Sequence, residues 1–282
     1  MFRFALSWAI FAVQLCGYFA LNGSIAALFY SGATPETAEW KCQPAVGRSF
    51  PAKAGTAWEA ALWWPPAEAL AKALWPEWAA QHCRRGRHPD APALALLNLA
   101  QICLFAAATC DAALLGHTPM LMAWGQEGGS WAAWGGWLAA AYAWENVAEW
   151  VWHRVMHFPW LYRNVHHLHH FNKSPEPFDD MLIHPVEAVG YYIILYSPAF
   201  LFPMHVSVFL AYMAIMGVTG VLDHCGAVLG LPLSLYDTRH HDHHHELVDV
   251  NFGFPSAAID VLCGTFHGEC CGRRILAKRH VY

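Results

Sequence analysis

Charge is scarce in this chain. Asp, Glu, Lys and Arg make up 13% of its 282 residues, against roughly 25% in ordinary soluble proteins. What charge there is nets to −5 with histidine neutral, so no basic surface points to nucleic acid. Cysteine is present but unorganised: nine residues, an odd number, no C-x-x-C, and several inside apolar runs. That excludes a disulfide scaffold and a zinc finger. Cys270-Cys271 beside Arg273-Arg274 reads as two free thiols, with palmitoylation as the alternative. The G-x-G-x-x-G fingerprint is missing, so the chain shows no nicotinamide or flavin site of its own. Sequence repeats, low-complexity segments and a separate soluble second domain are missing too.

Apolar residues fill the space instead, at 56%, with fifteen tryptophans, a residue that favours membrane interfaces. Phe4 to Tyr30 is long enough to cross a bilayer, which takes about 20 residues. It exceeds the apolar core of a cleaved signal peptide, the competing reading, at about 7–15 residues. Residues 31–56 read as loop. Thr56 to Gln81, tryptophan-rich and broken by Pro65, Pro66 and Pro76, reads as an interfacial amphipathic segment. A basic stretch, Arg84-Arg85-Gly86-Arg87, follows. Residues 92–115 and 131–150 read as further spans, separated by a Gly-rich loop that lacks Lys and Arg. Val186 to Leu222, with Pro198 and Pro203 near its middle, is too long for one span at about 1.5 Å per residue and suits a helical hairpin.

The basic residues segregate. Of sixteen Lys and Arg, seven lie in 31–90, three in 151–185 and five in 223–282; only Arg3 falls on the other side of this topology. The positive-inside rule makes the basic side cytosolic. The expected fold is all-α and integral to the membrane, with about four transmembrane helices under a cytosolic helical cap. Residues 1–130 form the membrane and interfacial region, and residues 131–282 carry the chemistry.

That chemistry is histidine. The chain has nineteen, ten of them in three short stretches: His153 and His157; His166, His167, His169 and His170; His241, His243, His244 and His245. Packed imidazoles desolvate one another and repel once protonated, and neutral imidazole is the commonest protein ligand for transition metals. A polyhistidine metal centre is the first hypothesis. His153 and His157 are four apart on a predicted helix, about 6 Å apart at Cβ, with Glu145 and Glu149 upstream on the same stripe to accept ring N–H bonds. The pattern H-x-x-H-H occurs twice, at 166–170 and 241–245. In a helical turn its first and last rings share a side while the adjacent one points elsewhere, so each triplet reaches two metals. A shifted register through His240 and His243 is the alternative for the last cluster. His82, His88, His117, His205, His267 and His280 are isolated and read as ordinary histidines.

Read together, H-R-x-x-H, H-x-x-H-H and H-D-x-H-H resemble the fatty acid hydroxylase and sterol desaturase superfamily of membrane-bound non-haem di-iron enzymes. The surroundings agree: Tyr162 before the second cluster, Pro175 and Pro177 after it, His184-Pro185-Val186-Glu187, His224-Cys225-Gly226, Asn251-Phe252-Gly253, Asp260 and Gly264-Thr265. The resemblance covers about residues 135–268. It implies His153, His157, His166, His169, His170, His184, His224, His241, His244 and His245 as metal ligands. Glu145, Asn146, Glu149, Asp242 and Asn251 are expected to support them. The family often has Asp where this chain has Asn146. His167 and His243 match positions that do not ligate.

The resemblance implies two iron ions, replaceable by zinc, with O2 as co-substrate, and hydroxylation or desaturation of a membrane lipid. The H-D-x-H-H and H-P-x-E forms lean towards sterol-type substrates, as in sterol biosynthesis at the endoplasmic reticulum. Carotenoid, fatty-acyl and sphingolipid hydroxylation are the alternatives within the enzyme class. A non-catalytic metal-binding protein or a metal transporter is the alternative outside it. Without a nucleotide fingerprint, electrons must come from a partner, in this family usually cytochrome b5 with its NAD(P)H reductase, or ferredoxin.

Overall fold

The computed structural model describes residues 3–30, 39–43, 65–74, 76–77, 90–123, 130–230, 236–270 and 273–275. The basic run 84–87, most of the 31–56 loop, His82, His88, Cys271 and the C-terminal tail lie outside these.

The first apolar run is helix α1, Ala5–Ile25, extended by a π-helical turn, Ala26–Tyr30. Helix α2, Pro65–Leu74, begins at a proline, where the missing N–H costs nothing. It buries Glu68 and Ala71, exposes Leu70 and Leu74, and links Glu68 to Lys72 at 2.8 Å. The expected amphipathic segment is this helix in its described part. Helix α3, Ala91–Leu114, follows, and then α4, Trp131–Met156, whose N-cap Ser130 accepts the Ala133 N–H.

The cap begins where α4 ends. Helix α5, Pro159–Asn164, leads into a 3-10 turn, His166–Phe171. The hairpin returns the chain: α6, Pro185–Tyr196, a short α7, Pro198–Leu201, and α8, Val206–Asp223. Pro185 and Pro198 open helices rather than breaking them, and Pro203 lies in the link between α7 and α8. Helix α9, Thr238–Leu247, is capped by Asp237, and α10, Ala258–Cys263, ends at Gly264 with φ +73°. Strands β1, Gly268–Cys270, and β2, Arg273–Ile275, pair antiparallel and are the only strands among the described residues. No disulfide joins the described cysteines; Cys16, Cys42, Cys103, Cys110, Cys225 and Cys263 are free.

Three described helical segments are long and apolar enough to cross a membrane: Ala5–Tyr30, Ala91–Leu114 and Val206–Asp223. The expected span at 131–150 is the first part of α4, a 26-residue helix that carries Glu145, Glu149 and Arg154 in its second half and is therefore less apolar. The descending arm of the hairpin, α6, has only 12 residues, about 18 Å of helix, and α7 completes it. Helix α1 packs on α3, α3 on α6, and α4 on both α6 and α8. A buried cluster of Ala141, Ala188, Tyr192, Met204, Val208 and Tyr212 holds α4, α6 and α8 together. Outward faces carry Val13, Leu28, Leu97, Leu104, Ile193, Leu210 and Val218 exposed. Apolar surface on this scale belongs against lipid rather than water. His153, His184 and His224 all lie at helix termini facing the cap, which is how one hairpin brings clusters 90 residues apart in sequence to one place.

Candidate metal centre

Nine of the ten expected histidines converge in two groups. His153, His157, His166, His170 and His244 form one; His169, His224, His241 and His245 form the other, with the ligand atoms of each group within 4.8 Å of one another. All are buried except His224, which is partly so. In each H-x-x-H-H triplet the first and last rings share a group and the middle one crosses over: His169 joins His241 and His245, and His244 joins His166 and His170. The spacing predicts such a division of each triplet between two groups. The first triplet achieves it on a 3-10 turn and the second on an α-helix.

Backbone carbonyls orient the rings. His153 Nδ1–H donates to Phe252 O at 2.9 Å, His244 Nδ1–H to Val250 O at 2.6 Å, His245 Nδ1–H to Asn172 O at 3.0 Å and His224 Nδ1–H to Gly220 O at 3.0 Å. His166 Nδ1–H donates to the Glu187 carboxylate at 2.5 Å. Each such bond fixes the tautomer and leaves the Nε2 lone pair for a metal.

Those lone pairs point at one another. His170 Nε2 lies 3.0 Å from His166 Nε2 and 3.1 Å from His244 Nε2; His241 Nε2 lies 2.9 Å from His224 Nε2 and 3.2 Å from His245 Nε2. A ring nitrogen carries one hydrogen at most, so in each trio at least one close N···N contact is lone pair against lone pair. A cation between them removes the conflict. His153 Nε2 and His157 Nε2 are buried without a hydrogen-bond partner, as that arrangement also requires. With metal–imidazole bonds of about 2.0–2.1 Å, neighbouring ligand nitrogens sit about 2.8–3.0 Å apart at right angles and about 3.3–3.4 Å apart on a tetrahedron. The observed 2.9–3.2 Å falls within the range that two imidazoles on one metal show.

Burial, with neighbouring imidazoles second, holds His157, His169, His170, His241, His244 and His245 well below the usual histidine range. Burial brings His224 down to about 4. The rings are therefore neutral and ready to ligate at physiological pH. Phe252 packs edge-on against His153, His157 and His244, and Tyr162 lies against His157, His166 and His170, walling the five-histidine group from water.

The remaining expectations divide. His184 stands in neither group: its Nδ1 accepts the Val186 N–H at 3.3 Å as the N-cap of α6. The register resolves towards His241, His244 and His245. His240 donates to Asp260 at 3.0 Å, and His243 faces His267 instead. His167 is exposed. Glu145 was expected to hold a ligand ring but accepts the Tyr212 hydroxyl at 2.7 Å, and neither it nor Glu149 bonds a histidine of the two groups among the described residues. Asn146 bonds Tyr142 O and Ser256 Oγ. Asp242 accepts from Gln43 at 2.6 Å. Asn251 acts through the backbone: with φ 55° it bonds the carbonyls of His240 and His267 and the His267 N–H, shaping the loop that presents Val250 O and Phe252 O.

Two supports escape the sequence reading. Glu187 was visible in H-P-x-E, but not that His166 was its partner. Asp260 is fully buried and accepts from Trp150, Phe252 N, Gly253 N, Thr265 and His240 at 2.6–3.0 Å. Burial works to raise its pKa, and these donors outweigh that and hold it below the usual carboxylate range. Asp260 thus anchors the loop whose carbonyls aim His153 and His244.

Comparison with known proteins agrees with this geometry. Residues 138–265 match the fatty acid hydroxylase family. A lathosterol oxidase of Rattus norvegicus is 31% identical over 126 residues, covering 43% of this chain and 42% of the relative. A methylsterol monooxygenase of Arabidopsis thaliana is 32% identical over 126 residues, 41% of this chain and 47% of the relative. A Delta(7)-sterol 5(6)-desaturase of Gibberella zeae is 27% identical over 114 residues, 40% of this chain and 33% of the relative. The chain thus spans less than half the length of each of these curated relatives. No solved structure matches. Residues 138–265, which hold all nine convergent imidazoles, are thus similar to the fatty acid hydroxylase family and to sterol oxidases and desaturases within it.

Proposed function

We propose that the chain is an O2-dependent di-iron oxidase that hydroxylates or desaturates a membrane lipid of sterol type. The observation that carries this is the pair of buried imidazole groups whose Nε2 lone pairs face one another. Iron bound there supplies the oxygen activation and one-electron chemistry that no side chain provides. His153, His157, His166, His170 and His244 would hold one ion, and His169, His224, His241 and His245 the other. An all-nitrogen set suits iron and also accepts zinc.

The chain's own residues do the rest. The carbonyls of Gly220, Asn172, Val250 and Phe252 and the Glu187 carboxylate hold five rings in one tautomer. Phe252 and Tyr162 exclude water from the five-histidine group. His153 and His157 lie at the end of α4 and His224 at the end of α8, where the apolar helices meet the cap, so a lipid would reach the two groups from between those helices. Three relatives named as sterol oxidase, desaturase or monooxygenase support the substrate class. Hydroxylation consumes O2, two electrons and two protons and yields the alcohol and water. The missing nucleotide fingerprint assigns the electrons to an external donor, such as cytochrome b5 with its NAD(P)H reductase. The basic residues on the cap side support a cytosolic face, and the sterol relatives an endoplasmic reticulum membrane. Lipid profiling of cells lacking the protein tests this reading. A sterol precursor should accumulate and be cleared by the wild type but not by His244→Ala; an unchanged sterol profile contradicts the substrate class.

A further inference from the structure

Residues 39–43 lie almost a hundred residues before the segment that matches the family, in a stretch whose sequence reads only as loop. They nonetheless run across the cap. Lys41 pairs with Ala227 in a backbone bridge, Cys42 N–H donates to Gly226 O at 2.8 Å, and Val228 N–H donates to Trp40 O at 2.7 Å. The Lys41 ammonium meets Glu176 at 3.0 Å with both side chains fully buried. Gln43 Nε2 uses its two hydrogens on two different segments, Lys173 O at 2.7 Å and Asp242 Oδ1 at 2.6 Å.

Every one of these contacts falls beside the four-histidine group. Lys173 follows Asn172, whose carbonyl holds His245; Asp242 follows His241; Gly226 lies two residues after His224. A Cβ on Gly226, which has φ +70°, would clash with Pro175 O and the Tyr30 hydroxyl, so the segment after His224 is packed without slack. Asp242 also stands two residues before His244, and none of these contacts goes to a residue adjoining His153, His157, His166 or His170. A charge buried as deeply as Lys41 is costly unless its partner is fixed in place, so the pair sets the position of the 172–176 segment rather than merely decorating it.

We infer that residues 39–43 are a strap that positions the four-histidine group, with Gln43 and Lys41 as its positioning residues. The inference rests on the metal-centre reading above. The strap ties the segment after His224, residues 172–176 and helix α9 to one another across the cap, and none of these contacts reaches α4 or the 250–254 loop, which hold and orient His153 and His157.

The test is cobalt loading of the full-length protein in detergent, read by metal stoichiometry, the visible spectrum of each bound ion and the rate of removal by a chelator. The wild type should bind two ions. Gln43→Leu should release one ion about 10–100-fold faster, the range for losing a group that supports a metal ligand, with the other ion unchanged in spectrum and rate. His169→Ala should abolish the same fast-released component, which identifies it as the four-histidine ion. Should the apolar variant not fold, Gln43→Asn keeps the amide, shortens its reach, and should show the same one-sided release. Two ions with wild-type release rates in either variant overturn the strap. So does equal loosening of both ions. A wild type that binds no metal overturns instead the metal-centre reading on which the strap rests.

Discussion

Replacing Asp260 by Asn should destabilise the protein without touching a ligand. The carboxylate accepts five hydrogen bonds: Oδ1 takes Trp150 Nε1, Phe252 N and Thr265 Oγ1, and Oδ2 takes Gly253 N and His240 Nε2. An asparagine keeps one acceptor oxygen. Turned towards the three donors, it sets its amide N–H2 against the Gly253 N–H and His240. His240 can move its proton to the other nitrogen, but the Gly253 N–H cannot. A buried donor left without an acceptor costs about 1–3 kcal/mol, so Asp260→Asn should cost roughly 1–3 kcal/mol with His240 readjusted and up to twice that without. Some of the cost appears as displacement of the Phe252 and Val250 carbonyls from His153 and His244, so metal affinity at the five-histidine group should fall as well. The assay is denaturant unfolding in detergent with metal content measured on the same samples. A change below about 0.5 kcal/mol with two metals retained refutes the anchoring role.

His244→Ala should abolish oxygen-dependent turnover and lower metal content, whereas His167→Ala and His243→Ala should retain most activity; the reverse pattern for His243 and His244 restores the register through His240. Gly190→Ala should cost at least about 1–3 kcal/mol, the usual penalty for overpacking, because the new Cβ would fall inside the Trp152 indole; unchanged thermal stability contradicts that packing. The metal-free protein should also weaken with acid. His169, His170, His241, His244 and His245 are held well below, and His224 at about 4 against, an unfolded value near 6.5. The unfolded chain therefore binds more protons, so stability present above about pH 6.5 is lost as pH falls towards the folded values. Asp180 and Asp242, each raised to about 7 by burial, work in the opposite direction. A melting temperature that stays flat or rises between pH 7 and 4.5 contradicts this balance.

The histidine pattern was legible because ligation depends on side-chain identity and local spacing. Two H-x-x-H-H triplets encode the crossing of His169 and His244 whichever helical geometry carries them. The hairpin was legible because apolar length and proline position are local too. What the sequence hid is mostly backbone. The carbonyls of Gly220, Asn172, Val250 and Phe252 have no residue signature, since any amino acid supplies them. Glu145 was misdirected because a helical stripe gives a direction along α4 but not the neighbour met there, which is Tyr212 on α8. His184 stands outside both groups, and its Nδ1 caps α6 ahead of Pro185. Gln43 and Lys41 gave no signal because their partners lie 130 residues or more away.

Anaerobic ferrous iron titration of the purified, metal-free protein, followed by iron retained per chain after desalting, tests the central claim most directly. Two buried imidazole groups predict saturation at two iron ions per chain, falling to one in a variant that removes the four-histidine group through His169→Ala and His245→Ala together. Saturation at one or none in the wild type, or two retained in that variant, would contradict a dimetal centre built from these histidines.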